Sequence, residues 1–256
     1  MDLQLTGKTA LITGGSSGLG RGAAEALAAE GCNLHLAART ESDLEKARTE
    51  LMGDHGVDVT IHPTDLSAGD AARELAERTE GIDILVNCAG AIKAGKIEMI
   101  DEETWLEGWN LKVFGFINLT RAVYPAMCDR GSGVIVNIIG NAGEHPAANY
   151  ICGSVGNGAL INLTKALGAE SLDHGVRVVG VSPGPTATER LERHQRVQAE
   201  QDFGDAERWR EMLTHLPAGR PAKVEEIAEV VAFMASPRAK WASGSILTVD
   251  GGAHLR

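Results

Sequence analysis

Between residues 8 and 20 the chain passes from a strand-like run, Thr9-Ala10-Leu11-Ile12-Thr13, through Gly14-Gly15-Ser16-Ser17-Gly18-Leu19-Gly20 into an Ala-rich helical segment. Few folds accommodate that join. Gly14 can turn the chain tightly, and Gly18 and Gly20 let backbone and helix come close to a ligand. The helix N-terminus then presents free N–H groups with a partial positive charge, the arrangement that receives a pyrophosphate. Three glycines alone would be an ordinary turn. The strand before and the helix after make this a nucleotide-binding turn.

The rest of the chain continues the alternation. The pattern predicts strands near 8–13, 33–38, 57–61, 82–86, 133–139, 176–181 and 246–249. It predicts helices near 18–30, 41–52, 67–79, 101–128, 148–172 and 223–235. Repeated βαβ units mean an α/β fold, a doubly wound parallel sheet with helices on both faces. Val134-Ile135-Val136 and Val178-Val179-Gly180-Val181 read as strands buried on both sides. No linker or repeat divides the chain, so residues 1–256 are expected to form one dinucleotide-binding and catalytic domain. The polar, mixed-charge segment 188–214 follows the sixth strand and is expected to be a substrate lid, because long insertions at that edge are often functional.

Composition excludes several classes. With 24 Lys and Arg against 35 Asp and Glu the net charge is −11, which disfavours nucleic acid as a partner. No apolar run reaches the roughly 18 residues of a membrane span, and the N-terminus carries no secretory pattern. Cys32, Cys88, Cys128 and Cys152 stand apart, as reduced thiols do; no metal site is expected and a cytoplasmic location is.

The second strand ends in Ala38 and Arg39. A site that holds an NAD ribose usually ends this strand in an acid, whereas an Arg can pair with a 2′-phosphate. The expected cofactor is therefore NADP(H), with NAD(H) second.

On these residues the chain resembles the short-chain dehydrogenase/reductase family along its whole length. Thr13 to Gly20 is similar to that family's TGxxxGxG. Asp65-Leu66 matches its adenine-contacting pair, and Asn87-Cys88-Ala89-Gly90 resembles its NNAG motif. Asn110 matches an active-site Asn and Tyr150 the catalytic Tyr. Ser182-Pro183-Gly184 with Thr188 resembles the segment that touches the nicotinamide, and Thr248 to Gly252 the C-terminal strand and turn. The resemblance implies a Rossmann fold with a seven-stranded parallel sheet and hydride transfer between a carbonyl and an alcohol. It assigns Tyr150 as the acid/base and Asn110 as a positioning residue. It assigns Gly14, Ser16, Ser17, Gly18, Leu19, Arg39, Asp65, Leu66, Asn87, Ala89, Gly90, Tyr150, Pro183, Gly184 and Thr188 to the cofactor.

The family's machinery is Ser, Tyr and Lys, with Lys four residues after Tyr and so on the same helical face. Here Ser154 holds that place, and Gly140 stands where the Ser belongs. Without a nearby cation Tyr150 is expected to titrate near 10, a poor base at neutral pH but a competent acid. Reduction is then the favoured direction. Asn141, His145, Lys93, Lys96 and Asn157 are conceivable substitutes, each more simply read as structural or solvated. Gly153, Gly156 and Gly158 weaken the helix they share by about 1 kcal/mol each. Packing against a second subunit would offset that, which implies a homodimer or homotetramer.

The reading is an NADP(H)-dependent oxidoreductase acting on a small-molecule carbonyl or alcohol. The alternative is a catalytically weak or inactive NADP(H)-binding sensor or scaffold.

Overall fold

A computed structural model describes residues 1–255. Seven parallel strands form one sheet in the order β3-β2-β1-β4-β5-β6-β7. They are β1 (Thr9–Thr13), β2 (Asn33–Ala38), β3 (Val59–Pro63), β4 (Ile84–Asn87), β5 (Gly133–Ile138), β6 (Val176–Pro183) and β7 (Ile246–Val249). The strand order reverses between β1 and β4, which opens a crevice at their carboxyl ends. This is the single-domain Rossmann-like architecture expected from the alternation.

Period-two alternation sends neighbouring strand residues to opposite faces. Ile12, Leu34, Leu36, Val86, Val136 and Val179 join one apolar core. It is covered by α1 (Gly18–Ala29), α2 (Glu41–His55) and α8 (Val224–Ala235). Leu11, Leu85, Ile135 and Val178 join the other core with Leu75, Leu119 and Val123. There α3 (Ala71–Arg78) and α5 (Gly115–Arg130) pack, and α6 (Ile151–Ser171) joins them through Leu167. Every residue of β6 is buried. Each buried Leu, Ile or Val contributes about 1.5–3 kcal/mol relative to exposure.

Several boundaries differ from expectation. The third strand begins at Val59 rather than 57. The Asp65 carboxylate accepts from both the backbone N–H and the hydroxyl of Ser67, at 3.0 and 2.7 Å, and this local turn delays α3 to Ala71. The helix expected over 101–128 is two helices, α4 (Glu102–Trp109) and α5, joined by a π turn at Asn110–Phe114.

The 188–214 segment forms α7 (Glu189–Phe203), capped by the Thr188 hydroxyl, and a 3₁₀ stretch at Ala206–Leu213. Arg196 pairs with Glu192 and Glu207, and Arg208 with Glu211. Such exposed pairs contribute at most about 1 kcal/mol each. No helix among the described residues is long and apolar enough to cross a membrane.

On the outer strands His35 Nδ1 lies 2.8 Å from His62 Nε2. One ring donates and the other accepts, so the pair is satisfied while neutral. Burial lowers both, and His62 falls to about 4. A free His titrates near 6.5, so between about 6.5 and 4 the unfolded chain takes up protons that the folded pair refuses. The pair's contribution is therefore complete above about pH 6.5 and is lost as pH falls toward 4. Thermal midpoints measured from pH 7 to pH 4 should decline, and His62→Gln should flatten that decline; an unchanged slope in the variant would contradict this assignment.

Candidate functional site

The glycine turn sits at the reversal point. Gly14 N–H donates to Ala37 O at 2.7 Å. Gly14 has φ +69°, and a Cβ there would lie 3.2 Å from Ala89 Cα. On Gly20 a Cβ would meet Gly14 O at 2.2 Å. The turn therefore closes only with glycine at both places. Ser17 precedes α1 in an extended conformation and makes no side-chain cap. The first-turn N–H groups of Gly18, Leu19 and Gly20 are left without a side-chain partner. Ser16 is half-buried and Leu19 packs its side chain against the core.

Arg39 is exposed at the end of β2. The Asp65 carboxyl is held below its ordinary range, first by the Ser67 hydroxyl and further by the Arg39 charge, which places the two at one rim. Leu66 turns the other way, into the core.

After β4 the Cys88 and Ala89 N–H groups both donate to Thr13 Oγ1, at 2.9 and 3.1 Å. That bond pair seats the Cys88–Gly90 turn over the end of β1. Asn87 behaves otherwise. Its side chain is buried and donates to Thr120 Oγ1 and Asn137 Oδ1, and Asn137 in turn donates to Thr164 Oγ1. Asn87 is thus a strut beneath the site; its side chain does not reach the cleft surface.

Tyr150 stands just before α6, with φ −136° and ψ 37°. Its ring doubles back across the helix, so that a Cβ on Gly153 would lie 2.0 Å from Tyr150 Cζ and 2.6 Å from its hydroxyl oxygen. Burial raises the phenol above its ordinary value, although Arg190 beside it acts in the opposite direction. The expectation of no nearby cation is corrected here. Arg190, at the start of α7, donates to Gly90 O and Ile92 O at 2.8 and 2.9 Å. This ties the 188–214 segment to the turn after β4. Apolar side chains of Ile92, Ile100, Trp105, Trp109 and Cys152 surround Tyr150.

Because Tyr150 lies outside the helix, the four-residue spacing from it does not select the site-facing side. Ser154 turns away, its hydroxyl accepting from Ala147 N–H at 3.0 Å. The α6 side chain that meets Gly140 is Asn157: a Cβ on Gly140 would lie 3.1 Å from Asn157 Nδ2.

Asn110 does not join Tyr150. It is exposed and lines an open groove with Ser67, Asp101, Glu102, Glu103, Leu106 and Glu107. In this π turn the side chain that points inward is that of Lys112. Its ammonium donates to Ile139 O at 2.8 Å, and its stem packs on Gly90. Sequence reasoning passed over both Lys112 and Arg190. Lys112 left a signal, a lone cation in the run Leu111-Lys112-Val113-Phe114; Arg190 was hidden among the many charges of its segment.

The remaining candidates are placed as follows. Asn141 Nδ2 donates to Asp250 Oδ2 at 3.3 Å, and His145 stacks on His254 with centroids 4.6 Å apart. Lys93 and Lys96 are exposed. Pro183 is buried, and Gly184 N–H donates to Val249 O. Thr188 caps α7 and stands close to Gly18, where a Cβ would lie 3.6 Å from its methyl. The α6 glycines meet this same chain: Gly153 meets Tyr150, Gly156 meets Trp109 and Val113, and Gly158 lies near Gly143 O. Packing within one subunit therefore accounts for Gly153 and crowds Gly156, while Gly158 would have room for a Cβ.

A doubly wound sheet with a glycine turn at its reversal point, and a half-buried phenol by the segment after β4, defines a nucleotide-binding α/β protein of the dehydrogenase type. The family description "short chain dehydrogenase" matches residues 8–199. Galactitol 2-dehydrogenase (L-tagatose-forming) of Cereibacter sphaeroides is 36% identical over 255 residues, covering 97% of this chain and 96% of that one. A 3-oxoacyl-[acyl-carrier-protein] reductase of Vibrio cholerae is 32% identical over 260 residues, covering 99% and 100%. Among solved structures, L-sorbose reductase from Gluconobacter frateurii, complexed with NADPH and L-sorbose, aligns with TM-score 0.92 at 32% identity. That alignment covers 99% of this chain and 98% of the other. An NAD+-bound xylitol dehydrogenase aligns with TM-score 0.89 at 25% identity, covering 97% and 100%. The chain belongs to the short-chain dehydrogenase family.

The Tyr150 ring and Gly153 make a clean prediction. Gly153→Ala adds a Cβ where the ring lies and should expel the phenol while improving helix propensity by up to about 1 kcal/mol. Ultraviolet titration, with Tyr124 and Tyr150 the only tyrosines, should show one phenol moving down toward its ordinary value with no loss of thermal stability. An unshifted titration would mean the ring does not depend on that glycine.

Proposed function

We propose that the protein is an NADP(H)-dependent oxidoreductase interconverting a small-molecule carbonyl and an alcohol, and favouring reduction. The observation that carries this reading is the convergence of three parts at the carboxyl ends of β1 and β4. They are the glycine turn with its uncapped helix N-terminus, the Cys88–Gly90 turn seated on Thr13, and the half-buried phenol of Tyr150, beside Arg190, which bonds Gly90.

The residues fit a dinucleotide. Gly14, Ser16, Ser17, Gly18 and Leu19 would hold the pyrophosphate, since the glycines leave room and the α1 N–H groups lack side-chain partners. Arg39 would meet the 2′-phosphate, with Asp65 at the same rim. Ala89, Gly90, Pro183, Gly184 and Thr188 would line the other half. The sugar and polyol enzymes among the relatives, one of them solved with NADPH, support the cofactor and the reaction class. When bound, the cofactor supplies the hydride.

Tyr150 supplies the proton. Its phenol is raised by burial and so keeps its proton across the neutral range, which suits protonation of a carbonyl oxygen during reduction. Arg190 beside it adds positive charge where the oxygen becomes negative. In this reading the active site departs from the family's Ser and Lys: Gly140 carries no hydroxyl and Ser154 serves the Ala147 backbone. Residues 188–214 would act as the lid, latched by Arg190 to Gly90 and Ile92. We also propose a homodimer or homotetramer, supported by the exposed apolar side chains of Phe114 and Val155.

Two measurements test the proposal. Calorimetric titration should give tighter binding of NADPH than NADH, and Arg39→Ala should erase the difference; equal affinities in the wild type would remove the 2′-phosphate role. Tyr150→Phe should lower reductive turnover by about 10²–10⁴-fold and leave NADPH affinity within about threefold. Retained turnover in that variant would exclude Tyr150 as the acid.

A further inference from the structure

The stem of Lys112 runs along Gly90, where a Cβ would come within 2.9 Å of its Cδ, and its ammonium reaches Ile139 O at 2.8 Å. An ammonium has three donors, and this carbonyl takes one. The nitrogen lies 5.6 Å from the Phe116 ring centroid. Burial lowers the amine to about 8, Arg190 pushes the same way and Cys88 opposes. A cation enclosed this far is costly unless further polar groups meet it.

A second observation is independent of the first. Gly140 follows Ile139, and its open side faces Asn157. Asn157 is 3% exposed, and its Oδ1 has no hydrogen-bond partner. Buried acceptors are nearly always paired. The Ile139–Gly140 segment is thus flanked by a cation with donors to spare and an amide with an acceptor to spare. A phosphate would satisfy Lys112 but oppose Asn157 Oδ1. A vicinal diol offers an acceptor to one and a donor to the other.

Resting on the reading of the chain as a dinucleotide-dependent enzyme, we propose that Lys112 and Asn157 form the clamp for the nicotinamide-side ribose. Lys112 donates to a ribose hydroxyl oxygen, and Asn157 Oδ1 accepts the hydrogen of a ribose hydroxyl. The ammonium that the family pattern draws from the Tyr-bearing helix comes here from the π turn before α5, and α6 contributes a neutral amide in its place. The exchange accounts for a half-buried Lys where nothing else in the fold calls for one.

The test compares two ligands by calorimetry: NADPH, and adenosine 2′,5′-bisphosphate, which lacks the nicotinamide ribose. Lys112→Met should weaken NADPH by about 10–100-fold, the range of a hydrogen bond to a charged group. It should leave the bisphosphate unchanged, which also reports that the variant is folded. Asn157→Leu should weaken NADPH selectively while raising the melting temperature of the ligand-free protein, because an unpaired buried acceptor is removed. The double exchange, Lys112→Asn with Asn157→Lys, should recover most of the NADPH affinity lost in Lys112→Asn alone. Unchanged NADPH affinity in Lys112→Met, or equal losses for both ligands, would overturn the clamp and leave the cofactor reading standing. Failure of the wild type to bind either NADPH or NADH would remove both.

Discussion

Thr13 Oγ1 accepts from the N–H groups of Cys88 and Ala89, and this pair of bonds fixes the ends of β1 and β4 to each other. The crevice of a doubly wound sheet lies where the strand order reverses, so its floor has the shape that this contact imposes. It brings Ala89 to within a Cβ's reach of Gly14 and seats Gly90 where Lys112 and Arg190 converge. The buried Asn87–Asn137–Thr164 ladder holds the same strand ends from below. A substitution at Thr13 would leave two N–H groups unpaired in a partly buried turn, at about 1–3 kcal/mol.

Above that floor the site is governed by burial competing with charge. Tyr150, Lys112 and Cys88 are each driven toward their neutral forms by desolvation, the thiol to about 11 and the amine to about 8. Arg190 is the constant charge among them. It favours the ionised phenol and thiol and opposes the charged amine. Under the proposed function, a phenol held protonated beside this guanidinium would be organised to deliver a proton to a developing oxyanion.

Much of the fold was legible along the chain because its signals are local. Strand Thr9–Thr13, the glycine turn and helix Gly18–Ala29 follow from residue types in order, and the buried strands from unbroken apolar runs. The π turn at Asn110–Phe114 was not legible. Asn110 was assigned by its match to the family's active-site Asn, but in this turn its side chain faces the outer groove and that of Lys112 faces Ile139 O. The i, i+4 rule misled at Tyr150 for a related reason: the rule holds inside a helix, and Tyr150 precedes one. Arg190 was invisible because its partners, Gly90 O and Ile92 O, lie about one hundred residues away.

The sequence by itself determined the architecture, the phosphate turn and the family, since hydrophobic period, glycine placement and motif order act over short stretches of chain. Only the tertiary structure decided which polar groups meet at the centre. Tyr150 reaches its place by folding over Gly153, Lys112 arrives from a neighbouring helix, and Asn157 rather than Ser154 faces Gly140. These positions depend on helix phase and on contacts between distant segments, and a change of one or two residues in phase reverses a side chain's direction without altering the pattern along the chain.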